Sequence, residues 1–428
     1  METVIHAGRV EGRISPPCSK SYAQRALAAS LLAEGRSVLH NLEFCDDTRS
    51  AMRCIEALGA RIEQLDAETL AIQGGWHPLA DDRTVGTLRP VGNILLTGES
   101  GLATRLFTPI AALAGVPMQI VGEGSLLQRP MGPMLETLRA LEVAVTDCDG
   151  RLPLTVCGPL KGGETTIDGS LSSQFVTGLL LALPLARKDT ELHVTHPVSI
   201  PYLDITLDTA ARFGIEIDHR DYEEFYIRGG QRYRPVELAI EGDWSAAAML
   251  LVAGATAGRI TVDNISTLSK QADTAICSAL VRAGASVIHE PDSVTAEARP
   301  LQAFAFDATH CPDLFPALAA LAASAEGTSV LRGTSRLVHK ECDRAEALRE
   351  EYGKLGIEID LSEADTMRIR GGAIRGGRVD SHGDHRIAMS LAVAALRADG
   401  PVCIEGAESV AKSYPTFFDD LKKLTAAS

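Results

Sequence analysis

The sequence has no excess of positive charge. Lys and Arg number 41 against 56 Asp and Glu, a formal net charge of −15. Nonspecific nucleic-acid binding needs a basic face, so the charge balance excludes that class. Small anions are not excluded, because an acidic shell can surround a local cluster of Lys and Arg that alone meets the ligand. The nine cysteines lack any paired CxxC spacing. Their odd number and scatter argue for a reducing compartment and against a disulfide scaffold or a zinc site. No other run resembles a metal-ligand set. Long hydrophobic runs are missing too: the longest apolar stretch, Val176 to Ala186, is too short to span a bilayer. The opening METVIHAGRVEGRI has neither a basic leader before an apolar core nor the Ser/Arg-rich character of a transit peptide. A soluble cytoplasmic protein is expected.

What the chain does have is length and internal repetition. With 428 residues, 45% of them hydrophobic, it can bury two domain cores. A unit recurs at roughly 70–80 residues. It opens with small or polar residues, enters an Ala/Leu-rich helix, turns at a glycine into a β-branched strand, and closes with a second helix and further strand. The first-helix openings begin at Ser19, Gly98, Ser172, Gly242, Cys311 and Gly383. Second-helix endings read LGARI (Leu58–Ile62), FGIEI (Phe213–Ile217), AGASV (Ala283–Val287) and LGIEI (Leu355–Ile359), each a C-terminal glycine followed by a strand. Leu141–Val145 fits the same place without the glycine. The opening helices are apolar nearly all round, so they are expected to be buried. Ordinary α/β alternation is the competing explanation, and the joint recurrence of openings and endings argues against it.

Six openings divide into two lobes of three units. Pro-bearing stretches near Ser15-Pro16-Pro17 and Tyr233-Arg234-Pro235 suit the crossings. The expected division is residues 1–16 with 236–428 in one lobe and 17–235 in the other, with the substrate cleft between them.

The chemistry gathers at the openings, because helix N-termini carry unpaired N–H groups and a positive dipole end suited to oxyanions. Ser19-Lys20-Ser21 precede one helix and Arg25 lies a turn along. They read either as a cap with solvated charges or as cations and hydroxyls facing one ligand. Ser172-Ser173-Gln174 open another helix, as caps or as ligand contacts. Ser199 and Tyr202 follow beside Pro201 and Asp204; Tyr202 can stack on a ring or simply pack. LVHKECDR places Lys340, Glu341 and Arg344 together, with Lys340 and Arg344 on one face if the segment is helical. HGDHR supplies Asp384, His385 and Arg386, and VAKSYP supplies Lys412. Asp313, a single acid before a long apolar run, and Glu341 are the candidate proton carriers; one is a possible N-cap, the other a possible ion-pair partner.

Taken in order, PPCSKSYAQRAL, GESGLATR, QRPMG, DGSLSSQF, SIPYLDITL, EGDWSAA, the Asp313 segment, HKECDR, GDHRIAMS and AKSYPTFF resemble the enolpyruvyl transferases over essentially the whole chain. The branch they resemble is the one whose acceptor is shikimate 3-phosphate. The resemblance implies an α/β fold of two similar lobes, each of three βαβαββ units, in an inside-out barrel-like arrangement with buried helices. It implies transfer of the enolpyruvyl group of phosphoenolpyruvate to the 5-hydroxyl of shikimate 3-phosphate by a monomer, with no metal and no organic cofactor. Lys20, Ser21, Arg25, Ser172, Ser173, Gln174, Ser199, Tyr202, Asp313 and Lys340 then contact shikimate 3-phosphate. Lys20, Gly101, Arg129, Gln174, Arg344, His385, Arg386 and Lys412 contact or adjoin phosphoenolpyruvate. Asp313 is the base on the attacking hydroxyl, and Glu341 the acid toward the methylene carbon, with Lys20 assisting.

Four positions depart from the pattern: Glu99 for a usual Asn, Leu102 for Thr, Arg336 for Asn and Cys18 for Gly. Glu99 calls for a partner or an outward turn, with Arg105 as the expected partner. The sister enzyme acting on a UDP-amino sugar commonly carries a reactive loop Cys, and no Cys lies between Cys54 and Cys148. A noncatalytic anion-binding relative would need neither Asp313 nor Glu341.

Overall fold

The repeated sequence unit folds as a repeated sheet. In the computed structural model, which describes residues 1–79, 86–338 and 340–426, the strand Glu164–Asp168 leads through the helix Ser173–Ala182 to a parallel strand, Thr190–Thr195. The helix Ile200–Arg212 then leads into the antiparallel hairpin Ile217–Arg220 and Glu224–Ile227, whose second strand pairs with Thr190–Thr195. This is a complete βαβαββ unit. Units starting at Ile94–Gly98 and Ala305–Asp307 repeat it with the same strand order. The other three are split by the path of the chain. Glu237–Ala239 pairs parallel with Arg36–His40, Val10–Ile14 with Gly258–Asp263, and Glu2–Ile5 closes a three-stranded sheet on Val402–Glu405.

These units form two compact lobes, a terminal lobe of Met1–Pro17 with Glu241–Ser428 and a central lobe of Cys18–Ile240. The chain was expected to cross near residue 235; the division falls at Ile240, because the ladder on Arg36–His40 holds 237–239 in the central lobe. Among the described residues the sheets are separate and open, so hydrogen bonding closes no barrel.

The opening helices form the interior of each lobe. Strands such as Glu164–Asp168 alternate exposed and buried residues, so one sheet face meets the helices and the other meets solvent. By contrast, every residue of Phe315–Ala323 is buried, as are nearly all those of Lys20–Leu32 and Trp244–Ala257. Small residues allow this crowding: a Cβ on Gly178 would lie 2.3 Å from the carbonyl oxygen of Arg105 on the neighbouring helix Gly101–Ala111. Most opening helices start on a side-chain cap. Ser19, Ser100, Ser172, Asp243 and Asp384 accept from the backbone N–H of Tyr22, Ala103, Gln174, Ala246 and Arg386 respectively. The glycines ending the second helices adopt positive φ, from +83° at Gly214 to +106° at Gly59. Glu142 takes the corresponding left-handed position at +63°. Among the described residues, no helix is long and apolar enough to cross a membrane.

Candidate active site

In the central lobe the polar helix starts are tied together by arginines. Arg25 is buried on Lys20–Leu32. Its Nε donates to Thr206 Oγ1 at 2.9 Å, one terminal nitrogen to the Ser21 carbonyl at 2.8 Å, and the other to Thr177 Oγ1 at 3.2 Å and the Tyr202 carbonyl at 3.1 Å. One side chain thus connects the helices that carry Lys20 and Ser21, Ser173 and Gln174, and Tyr202. Burial pulls its pKa down to about 10, which still leaves it charged at neutral pH. Ser199, just before the helix Ile200–Arg212, is buried and left-handed at φ +54°, a costly conformation for a residue with a side chain.

A second arginine organises the next pair of openings. Arg105 donates to Gln174 Oε1 at 2.7 Å and lies over the Phe175 ring at 4.9 Å. A Cβ on Gly101 would lie 2.9 Å from a terminal nitrogen of Arg129 and 3.3 Å from one of Arg105. Gly101, Arg105, Arg129 and Gln174 therefore crowd one spot. Glu99, two residues before Gly101, is exposed, and a Cβ on Gly124 would meet its carboxylate. Lys20 Nζ bonds Asp47 Oδ2 at 2.9 Å. Cys18 is buried, and its sulfur accepts from the Glu43 N–H at 3.2 Å.

In the terminal lobe, Asp313 is the hub. It sits in the one-turn 3-10 helix Pro312–Leu314 at the head of Phe315–Ala323. Its Oδ1 accepts from Lys340 Nζ at 3.1 Å and from Arg344 at 2.8 Å, and its Oδ2 from Arg386 at 3.3 Å. Burial alone would raise its pKa, but Arg386, Lys340 and Arg344 outweigh that and hold the carboxylate well below the usual range. Arg344 is itself almost fully buried and also bonds Glu341 Oε2 at 2.7 Å and Asp384 Oδ2 at 2.7 Å. Despite burial, Asp384, Glu341 and Asp313 raise its pKa. Burial, with Arg344 nearby, lowers that of Lys340 although Asp313 opposes the shift.

The expected helical pairing of Lys340 with Arg344 is corrected. Asp343 caps the helix Arg344–Lys354, accepting from the Glu346 N–H at 3.3 Å, so Lys340 and Glu341 lie in the preceding loop. Lys340 and Arg344 meet through Asp313 instead. His339, within HKECDR, lies outside the described residues. His385 is fully buried, with Nδ1 3.7 Å from Asp384. Lys412 ends the 3-10 turn Ala407–Lys412, which packs against His385–Ala395. Asp47 and Asp384 were given no site role from sequence. Asp384 stood in a noted motif, and Asp47 left only the acidic first turn of Asp46–Ala57 as a signal.

Six repeated sheets whose helix starts carry arginines, lysines and a caged pair of acids define an α/β protein with cationic clusters suited to oxyanions. The chain belongs to the family described as EPSP synthase (3-phosphoshikimate 1-carboxyvinyltransferase), whose model matches residues 4–421. It is similar to the 3-phosphoshikimate 1-carboxyvinyltransferase of Thermococcus kodakarensis, at 39% identity over 97% of this chain and 98% of that one. The Clostridium kluyveri protein of the same name is 36% identical over 98% of this chain and 96% of the relative. An EPSP synthase structure from Acinetobacter baumannii superposes with a TM-score of 0.84 at 25% identity, covering 99% of this chain and 98% of the other. The enolpyruvyl transferase NikO of Streptomyces tendae shares the fold, with a TM-score of 0.75 at 19% identity over 98% and 96% of the two chains.

Proposed function

We propose that this protein transfers the 1-carboxyvinyl group of phosphoenolpyruvate to the 5-hydroxyl of shikimate 3-phosphate and releases phosphate. The observation that carries the residue assignment is the Asp313 carboxylate, bonded at once by Lys340, Arg344 and Arg386, with Glu341 on the same arginine. A half-buried acid with three cationic partners is a poor base at rest. Phosphates and carboxylates compete for the same cations, Arg by forked bonds and Lys as a point charge. Anions that draw Arg386, Arg344 and Lys340 away uncage Asp313, so it becomes basic when substrates are present.

In this reading Glu341 protonates the methylene carbon of phosphoenolpyruvate. The adjacent carbon gains cationic character, and the 5-hydroxyl attacks it while Asp313 accepts the hydroxyl proton. Glu341 takes a proton back from the new methyl group as phosphate departs, with the proton held by Asp313 leaving on the phosphate, and the double bond is restored. Lys20, Ser21, Arg25, Ser172, Ser173, Gln174, Ser199, Tyr202 and Lys340 hold shikimate 3-phosphate. Gly101, Arg129, Arg344, Arg386 and Lys412, with Lys20, Gln174 and the adjacent His385, serve phosphoenolpyruvate. No cofactor takes part. The protein works as a cytoplasmic monomer, and its nine free cysteines suit a reducing compartment.

The test is phosphate release with phosphoenolpyruvate alone, shikimate 3-phosphate alone, and both. Release with both and with neither alone is expected. Release with a UDP-amino sugar in place of shikimate 3-phosphate, or binding of both substrates without release, overturns the reading.

A further inference from the structure

Behind the Asp313 hub lies a carboxyl that the proposed reaction leaves unused. Asp273 is in the 3-10 turn Ala272–Ala275, which packs on the helix Trp244–Ala257. Gln271 pins that turn: its Oε1 accepts from the Trp244 N–H at 3.0 Å, and its Nε2 donates to Glu241 Oε1 at 2.6 Å and to the Gly242 carbonyl at 2.9 Å. Asp273 is 2% exposed. Its Oδ2 accepts from the Ser245 hydroxyl. Its Oδ1 has no hydrogen-bond partner among the described residues. A buried carboxylate oxygen without a donor is expensive, and a proton on the group relieves the cost.

The charged surroundings make the same point. Burial and then Asp313 push the Asp273 pKa up to about 7, with Asp243 adding to the rise, while Arg386 and the Ser245 hydroxyl pull it down. Cys311, buried nearby, has its thiol raised by burial and then by Asp273, Asp307 and Asp313. Two carboxyl groups therefore interact with one guanidinium. Arg386 bonds Asp313 and feels Asp273. Like charges so placed do not both ionise readily, and the pair titrates as a unit.

We propose that Asp273 is a positioning residue of this reaction: pinned by Ser245 within electrostatic reach of Asp313 and Arg386, it decides by its charge state how much of Arg386 is left for an incoming oxyanion. Protonated, Asp273 leaves Arg386 to Asp313 and to the substrate. Ionised, it adds a negative charge to the cluster and draws on the same guanidinium, so anion affinity falls. The inference rests on the assignment of Arg386 to phosphoenolpyruvate binding. It gives Asp273 no contact with the reacting atoms.

The experiment is the pH dependence of KM for phosphoenolpyruvate, with shikimate 3-phosphate saturating, in the wild type, Asp273→Asn and Ser245→Ala. In the wild type KM rises at least roughly threefold between about pH 6 and about pH 8, with a smaller change in kcat. In Asp273→Asn that rise is absent. In Ser245→Ala the hydroxyl no longer stabilises the anion, so the break moves to higher pH. Parallel profiles in wild type and Asp273→Asn overturn the proposal. If Asp273→Asn does not fold, an unshifted break in Ser245→Ala overturns it. A readout independent of turnover is the protonated-carboxyl band in difference infrared spectra across neutral pH. That band is present in wild type and lost in Asp273→Asn; its persistence in the variant overturns the assignment. Failure of the functional reading is seen separately, as absence of phosphate release from wild type at every pH.

Discussion

At the residue scale, Asp313 shows how one environment can hold the proposed general base in reserve. Its three cationic partners stabilise the carboxylate in the free protein and are the groups that anionic substrates would recruit. Asp313→Asn and Glu341→Gln are each expected to lower kcat by about 10²–10⁴-fold while circular dichroism stays near wild type, with Asp313→Asn also lowering the thermal midpoint at neutral pH because its three cations lose their acceptor. Gly101→Ala makes a different kind of change. Its Cβ would lie 2.9 Å from the Arg129 guanidinium, too close for both to stay in place. The expected outcome is a raised KM for phosphoenolpyruvate with kcat much less affected, read from initial rates in the coupled phosphate assay. The residue types of this site were legible because they stand in short motifs. Their partners were not: Arg344 and Asp384 are 40 residues apart in sequence, and Lys340 and Asp313 are 27 apart. An ion pair across such a gap depends on where two chain segments meet, and no local spacing encodes that.

At the scale of elements, the helix starts are positioned by contacts between helices more than by each helix alone. Gly178 lets Ser173–Ala182 approach the backbone of Gly101–Ala111, and across that approach Arg105 reaches Gln174. Gly178→Ala is expected to cost about 1–3 kcal/mol, because the added methyl meets a carbonyl oxygen that cannot move without shifting a helix. Denaturant titration measures the loss. A thermal midpoint equal to wild type would mean that the two helices separate freely. Periodicity and glycine endings were enough to place these elements. The start of Arg344–Lys354 was not legible in the same way, since HKECDR offers charged residues at helical spacing while the Asp343 cap begins the helix three residues after Lys340. A cap competes with spacing at helix ends, and backbone hydrogen bonding decides the outcome.

At the scale of the whole molecule, two carboxyl groups of the terminal lobe make opposite contributions to pH stability. Asp313 has a depressed pKa, so its stabilisation is present above the unfolded value of about 4 and is lost as pH falls through the lower folded value. Asp273 has a raised pKa, so the folded state holds more protons than the unfolded one between about 4 and about 7. Stability therefore declines as pH rises through that window. Asp273→Asn is expected to abolish this decline and to keep the acid limb. Urea midpoints at about pH 5 and about pH 8, compared between wild type and variant, check the sign, because all other titrating groups are common to both proteins.

The sequence by itself determined the repeating unit, the buried character of the opening helices and the class of chemistry. Apolar periodicity, helix punctuation and clustered cations are local properties that survive in one dimension. The tertiary structure alone decided which acid meets which cation. It turned Asp313 from a possible cap into the shared acceptor of Lys340, Arg344 and Arg386, bound Lys20 to Asp47, held residues 237–239 in the central lobe through one strand ladder, and buried Asp273 on the Ser245 hydroxyl. Those pairings depend on distance and desolvation, which exist only once the segments have packed.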